Sequence, residues 1–353
     1  MNNAYRCVII ILTHNTAGPL PASNRKGFFC MILNTVAAMS AGFVLNLMFG
    51  APRGFLNPEN FVSAFAQKLE KTLRKFYQDS PEAQRMAGAV LIFFVLLIFA
   101  GIPLALLILG YMFLPVLGLV LDCFFCWLAF SVRDTRIALS SIFRAVRSGN
   151  YNRAVKSLEA LTGTDCSGLD EDEIIKKAVE CAADCSADNG AGSLFFMALA
   201  GGFGGMLYRC ISILNKTIGI NTPEYTDFGS PSRTLWTILD FIPASVCGLL
   251  MKLDVRFLKL DGHNCKRIFK RDRKKLSKPN LGICRSVMAG ALDIQLTKEE
   301  YYSGESLRAR FIGEQFKPCQ PNDIYWASQL MYGSVFGCFL MFALIRTAFM
   351  FIL

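Results

Sequence analysis

Long uninterrupted apolar runs limit most strongly what this 353-residue chain can fold into. The stretch "FFCMILNTVAAMSAGFVLNLMFG" (28–50) is one bilayer crossing long, since about 20 apolar residues span the hydrocarbon core. "MAGAVLIFFVLLIFAGIPLALLILGYMFLPVLGLVLDCFFCWLAF" (86–130) has roughly twice that length. It predicts a helical hairpin with spans at 86–109 and 111–131, turning near Gly110-Tyr111, with Gly101 and Pro103 as further break points. A fourth run fills 326–353. Two semi-apolar stretches, 190–214 and 234–253, predict either a further pair of crossings or a re-entrant element. With 53% hydrophobic and only 18% charged residues, a soluble domain is excluded. The expected fold is all-α: a polytopic helical integral membrane protein with a cytoplasmic helical and loop layer and few β signals. Residues 1–27 read as an unstructured leader, and 28–353 as one membrane domain.

The net charge of +10 belongs to loops. Lys and Arg crowd 51–85, 133–177 and 252–278, which the positive-inside rule assigns to the cytoplasm. The lipid bilayer is the expected partner, and nothing resembles a nucleic-acid fold with interleaved basic and aromatic residues. Many of the 13 cysteines lie inside apolar runs, so reduced thiols are expected. Cys123 and Cys126 have the spacing of half a zinc site, with no second pair to complete it, and "CAADC" (181–185) reads as helix surface. Two histidines, His14 and His263, are too few for imidazole-based triads. Polar residues within apolar runs (Asn34, Asn46, Asp122, Asp240, Arg346) leave a transport path open as a reading.

Between the runs, residues 133–190 alternate charge and apolar positions at helical spacing. "SGNYNRA" separates two helices, and "TGTDCSGLDEDE" caps a third. The glycines of "GAGSLFFMALAGGFGGMLYRCISIL" (190–214) precede no Gly-Lys-Ser/Thr, so they predict close helix approach rather than a phosphate loop. The loops carry the chemistry. "FGAPRGFLNPENFV" presents Arg53 in a Pro-fixed turn, and "ADNGAG" sets Asp188 and Asn189 before a glycine turn. "FGSPSRTLW" presents Arg233 at a helix N-terminus, and "SKPNLG" follows a basic run in the same way. Together they suggest a phosphate site, with Asp188 available for magnesium. For 266–278 the competing reading is attachment to anionic headgroups.

In order and spacing, "LNLMFGAPRGFLNP", "AVRSGNYNRAVKSLEALTGTD", "AVECAADCSADNGAGSLFF", "YRCISILNKTIG", "FGSPSRTLWTILDFIPAS", "KPNLGICRSVMAGAL" and "YYSGE" resemble the adenosylcobinamide-phosphate synthases of cobalamin biosynthesis, the CobD/CbiB family. The resemblance runs from about residue 45 to about 305. It implies a multi-pass enzyme of the inner cell membrane with its active face in the cytoplasm. Its reaction would be an ATP-dependent amide ligation of adenosylcobyric acid to aminopropanol or its O-phosphate. ATP and Mg2+ are the implied cofactors. The corrinoid, the amino alcohol and other membrane proteins of the corrinoid pathway are the implied partners. Arg53, Asp165, Glu180, Asp188, Pro279, Asn280, Gly282 and Gly304 fall on family motif positions, and Arg233 lies one residue before the family's arginine. The expected catalytic set is Asp188, Arg233, Glu180 and Asp165, with Asp188 as the metal ligand. The expected substrate-binding set is Arg53, Asn189, Asn280, Pro279, Gly282, Gly304, Tyr208 and Arg209. Arg53 and Arg233 would clamp phosphate, and Asn280 would orient substrate.

The chain also departs from the pattern. Ala51 stands in the family's Gly-Asp-Pro-Arg, and Asn57-Pro58 replaces His-Pro. Arg-Asp-Thr reads Thr164-Asp165-Cys166, and Ala-Glu-Asn reads Ala183-Asp184-Cys185. Asn-Thr-Leu-Asp reads Ser212-Ile213-Leu214-Asn215, and an Asp-Asp pair is Trp236-Thr237. Several of these losses are acidic, so a catalytically lapsed corrinoid-binding or assembly protein stands as the alternative.

Overall fold

Proline opens five of the long helices, at the position where its missing N–H costs nothing. The computed structural model describes residues 22–52, 57–77, 80–220, 222–276, 278–296, 299–303 and 306–352. Arg53, Gly304 and residues 1–21 lie outside them. In chain order the helices are α1 (Ala22–Phe49), α2 (Pro58–Phe76), α3 (Pro81–Phe99), α4 (Gly101–Phe113), α5 (Pro115–Leu128), α6 (Val132–Arg147), α7 (Tyr151–Thr162) and α8 (Glu171–Cys185). A π-helical turn (Ser186–Gly192) leads into α9 (Ser193–Thr217). Then follow α10 (Ser230–Phe257), α11 (Gly262–Asp272), α12 (Pro279–Leu292) and α13 (Pro321–Ile352). Between α12 and α13 lies an antiparallel hairpin, Glu299–Ser303 with Ser306–Arg310. The all-α polytopic expectation stands, with that small hairpin added.

Local chemistry sets the boundaries. Asn57 accepts from the Glu59 N–H at 3.0 Å, Ser80 accepts from Ala83, and Asp170 and Glu173 form a reciprocal capping box at the start of α8. The expected breaks at "SGNYNRA" and "TGTDCSGLDEDE" fall between α6, α7 and α8.

Among the described residues, six helical segments are long and apolar enough to cross a membrane: Met31–Phe49, Pro81–Phe113, Pro115–Arg147, Glu171–Thr217, Ser230–Phe257 and Pro321–Phe349. Exposed Phe93, Leu97, Val116, Phe241 and Leu344 give them the apolar outer faces that lipid requires. The hairpin of the second run turns at Leu114, just before Pro115, rather than at Gly110-Tyr111. Gly110 instead packs against Gly118 across the two arms, where a side chain would not fit. The helix also breaks at Ala100, as expected next to Gly101 and Pro103.

Within 190–214 the helix doubles back on itself. Ala200 and Gly201 leave helical geometry, with Gly201 at φ 62°, ψ −148°. The two arms then run back along each other: Phe196 stacks on Tyr208 at 5.0 Å, and Gly192 faces the same ring. The glycines therefore pack one hairpin's arms together, so the close-approach expectation is met within a single element. The second arm's free N-terminus is capped from outside, because Asp122 on α5 accepts from the Gly202 N–H at 2.5 Å.

Part of the basic stretch before α12 is paired within the chain. Arg271 and Lys275 both grip fully buried Asp272, which also accepts from the Gly313 N–H at 3.0 Å. Arg267 and Arg271 reach Glu314. Burial would raise the Asp272 carboxyl, yet hydrogen bonds from Arg271, Lys275 and Gly313 hold it below the usual carboxylate range. A depressed folded-state value stabilises the fold above the ordinary carboxylate range, and that gain is lost as pH falls through the folded value. Asp272→Asn is therefore expected to cost about 2 kcal/mol at neutral pH. In thermal unfolding of the detergent-solubilised chain, the gap to the unsubstituted protein should close on acidification.

Candidate functional site

The π turn and the re-entrant hairpin together hold a polar cluster in otherwise apolar surroundings. Turns of this type are often found at functional positions. Asp188, buried in the π turn, accepts from four groups. Tyr208 Oη lies 3.1 Å and Trp236 Nε1 3.4 Å from Oδ1, while Ser212 Oγ and Lys216 Nζ each lie 2.8 Å from Oδ2. Tyr208, Ser212 and Lys216 recur every fourth residue on the second arm, so they form one stripe facing the first. Tyr208 Oη also lies 2.6 Å from Oδ1 of Asp240 on α10. One phenolic proton thus serves two buried carboxyl groups.

Around this centre the amide side chains link the helices. Asn189 Oδ1 accepts from Arg209 Nη1 at 2.5 Å and from Lys216 Nζ at 3.2 Å. Arg209 Nη2 lies 3.3 Å from Glu59 of α2, in the first turn after the loop that carries Arg53. That loop starts from a fixed point, since Asp134 accepts from the Ala51 N–H at 2.7 Å and Trp127 donates to the Gly50 carbonyl at 2.7 Å. Asn280, in the first turn of α12, faces Asp240 and donates to the Thr237 carbonyl at 2.8 Å. Among the described residues, Arg209 Nε is buried without a hydrogen-bond partner, and the Oδ2 of Asp240 and the Oδ1 of Asn280 have none beyond the contact between these two side chains.

Five of the expected residues therefore meet: Asp188, Asn189, Tyr208, Arg209 and Asn280. Others are placed elsewhere. Arg233 donates to the carbonyls of Ile220, Tyr225 and Thr226, so it ties down a loop in place of clamping phosphate. Glu180 sits two helical turns before Asp188 with Asp184, both facing Arg285 of α12 at 3.6 Å and 2.6 Å. This is an ion-pair group joining α8 to α12. Asp165 is exposed in the α7–α8 loop, where it accepts from the Ser167 N–H, at the far end of α8 from Asp188. Pro279 starts α12, and Gly282 lets that helix pass close to the Arg273 backbone; both act through packing. "ADNGAG" is a continuous helical turn rather than a glycine loop, because Gly190 and Gly192 make room for Val335 and Tyr208. Of the cysteines expected at the helix surface, Cys185 is buried. The described cysteines are free thiols, as expected.

Magnesium does not fit the donor set as arranged. It requires near-octahedral oxygen ligands, usually one or two carboxylates. Both Asp188 oxygens are taken by neutral donors and an ammonium, and among the described residues no three His, Cys, Asp or Glu cluster for a metal. The transport reading is not favoured either. Asp240 belongs to this cluster, Asp122 caps the hairpin, and Asn46 joins α1 to the Phe130 carbonyl, so these residues serve separate local networks.

The sequence profile of the CobD/Cbib protein family matches residues 39–331, which include every residue of the cluster. The chain belongs to the CobD/CbiB family. It is 28% identical to "Cobalamin biosynthesis protein CobD" of Clostridium perfringens over 290 residues, covering 82% of this chain and 91% of that protein. It is 28% identical to the CobD of Geobacter metallireducens, covering 84% and 92% of the two chains. For "Cobalamin biosynthesis protein CbiB" of Salmonella arizonae the identity is 26%, covering 85% and 94%. No solved structure matches the chain. Within this CobD/CbiB chain, family reasoning passed over Lys216 and gave no site role to Ser212, Trp236 or Asp240. Their signal was the four-residue recurrence of polar groups along an apolar helix.

Proposed function

We propose that this protein forms an amide bond in cobalamin biosynthesis, joining adenosylcobyric acid to aminopropanol or its O-phosphate. ATP transfers a phosphoryl group to the carboxylate, leaving ADP, and the amine then displaces phosphate from the acyl phosphate. One observation carries the reading: within a CobD/CbiB chain, motif residues distant in sequence (Asp188 and Asn189, Tyr208 and Arg209, Asn280) meet in one buried polar cluster. Amide formation requires the ammonium to lose a proton. The Tyr208 hydroxyl joins Asp240 to Asp188, and Asp240 in its ionised form is the acceptor we assign to that proton. The basic loops beside Lys278 favour a cytoplasmic crevice in the cell membrane. The alternative, a lapsed relative that binds corrinoid without reacting, is favoured by the saturation of Asp188 alone.

Complementation separates the two. In a strain lacking its own synthase and fed adenosylcobyric acid, the gene is expected to restore growth. Absence of growth, with the chain in the membrane and corrinoid binding intact, would select the lapsed relative.

A further inference from the structure

Three cationic groups converge at the open end of the re-entrant hairpin. Lys216 Nζ touches Asp188 and Asn189, which leaves one of its three N–H groups for a ligand. Arg209 shares the Asn189 oxygen, and its Nε is buried with no partner among the described residues, the residue being only 2% exposed. Lys278, the residue before α12, reaches Asn215 Oδ1 at 2.9 Å and the Gly219 carbonyl at 3.0 Å. Asn215 directly precedes Lys216, so both ammonium groups lie at the C-terminal end of α9. Lys278 does not cap the start of α12 with its side chain, and the first-turn N–H groups there add positive potential. The face is open: the Lys216 side chain is 43% exposed and that of Glu59 47%.

We propose that Lys216, Lys278 and Arg209 form a phosphoryl-binding crevice in which the Lys216 ammonium occupies the place against Asp188 that a divalent cation would take. An ammonium 2.8 Å from Oδ2 satisfies the carboxylate and denies that oxygen to a metal. It also brings a fixed positive charge to a phosphate oxygen, which is the electrostatic service a metal would perform. The ligand is a phosphate monoester or a polyphosphate tail. This deepens the amide-ligase reading by locating its phosphoryl group, yet it concerns binding alone. Loss of synthesis with binding retained would sink the ligase and leave the crevice standing.

The test uses the full chain in phosphatidylcholine nanodiscs and equilibrium dialysis with two probes, ATP and aminopropanol O-phosphate, each in Mg2+ and in EDTA. At least one probe is expected to bind saturably and to keep binding in EDTA. ATP alone would indicate a nucleotide tail, and aminopropanol O-phosphate alone the amino-alcohol substrate. Lys216→Ala and Lys278→Ala should each weaken binding about tenfold, while Lys216→Arg keeps most of it. Without nucleotide, the unsubstituted chain should leave the electron paramagnetic resonance signal of free Mn2+ unchanged. Lys216→Ala should deplete that signal, and adding Asp188→Asn should restore it. The proposal is overturned if neither probe binds without Mg2+, if both alanine variants bind as well as the parent, or if the unsubstituted chain takes up Mn2+ in a manner abolished by Asp188→Asn. The EDTA and Mn2+ arms on the unsubstituted chain decide the matter even where a variant fails to fold.

Discussion

Asp188→Asn is expected to abolish growth on adenosylcobyric acid in the complementation assay, a loss on the order of a hundredfold or more in synthesis. The substitution conserves volume but turns one acceptor oxygen into a donor. Four donors point at Asp188: Tyr208 and Trp236 on one oxygen, Ser212 and Lys216 on the other. Whichever way the amide turns, its NH2 meets donors on one side, and Lys216 loses its counter-charge. The expected cost to the fold is about 2–3 kcal/mol, since Lys216 is exposed enough to turn toward water while Tyr208 and Trp236 are not. The variant should therefore reach the membrane with a lowered thermal midpoint and no activity. Glu180→Gln provides the contrast. Glu180 faces Arg285 together with Asp184, whose contact with Arg285 is the closer, so this variant is expected to keep growth at a cost of about 1–3 kcal/mol in stability. The reverse result, growth for Asp188→Asn and none for Glu180→Gln, would move the site to the α8–α12 ion-pair group.

The apolar runs made most of the fold legible, because span length and Pro-fixed starts are local properties of the chain. Even the hairpin between α4 and α5 was foreseen, displaced to Leu114 because Gly110 serves packing and Pro115 starts the next helix. The doubling-back of α9 was left undecided for a physical reason. Its turn holds no polar residue, and what stabilises it is Asp122, 80 positions earlier in the chain. The site was legible where motif residues cluster at helix starts and π turns, as with Asp188 and Asn280. It was not legible for Arg233, whose guanidinium faces three carbonyls of a neighbouring loop that no local pattern announces. Lys216 was hidden differently, by looking like an ordinary helix-end lysine. Only the fold-back brings it within 2.8 Å of a carboxylate 28 positions away.

Gly201→Val should be as damaging as any change at the polar cluster, although Gly201 lies at the opposite tip of the hairpin. Its backbone, φ 62° and ψ −148°, is open to glycine and strained for a β-branched residue, at about 1–3 kcal/mol or more. A Cβ there would also stand 2.8 Å from Asp122 Oδ1, displacing the carboxylate that caps Gly202. Losing that cap exposes the start of a helix inside the membrane, where no water replaces the missing acceptor. The second arm can respond only by shifting along or away from the first. Because Tyr208, Ser212 and Lys216 are carried rigidly on that arm, a shift of one residue turns the stripe away from Asp188. Growth in the complementation assay should then fail together with thermal stability, and engineered cysteines at 188 and 212 should lose their ability to cross-link. Gly201→Ala introduces the same Cβ with less bulk and should be intermediate. If Gly201→Val grew normally and the cysteine pair still closed, the arms would not be held by this turn, and the route by which the fold assembles its polar cluster would have to be sought in α10 and α12 instead.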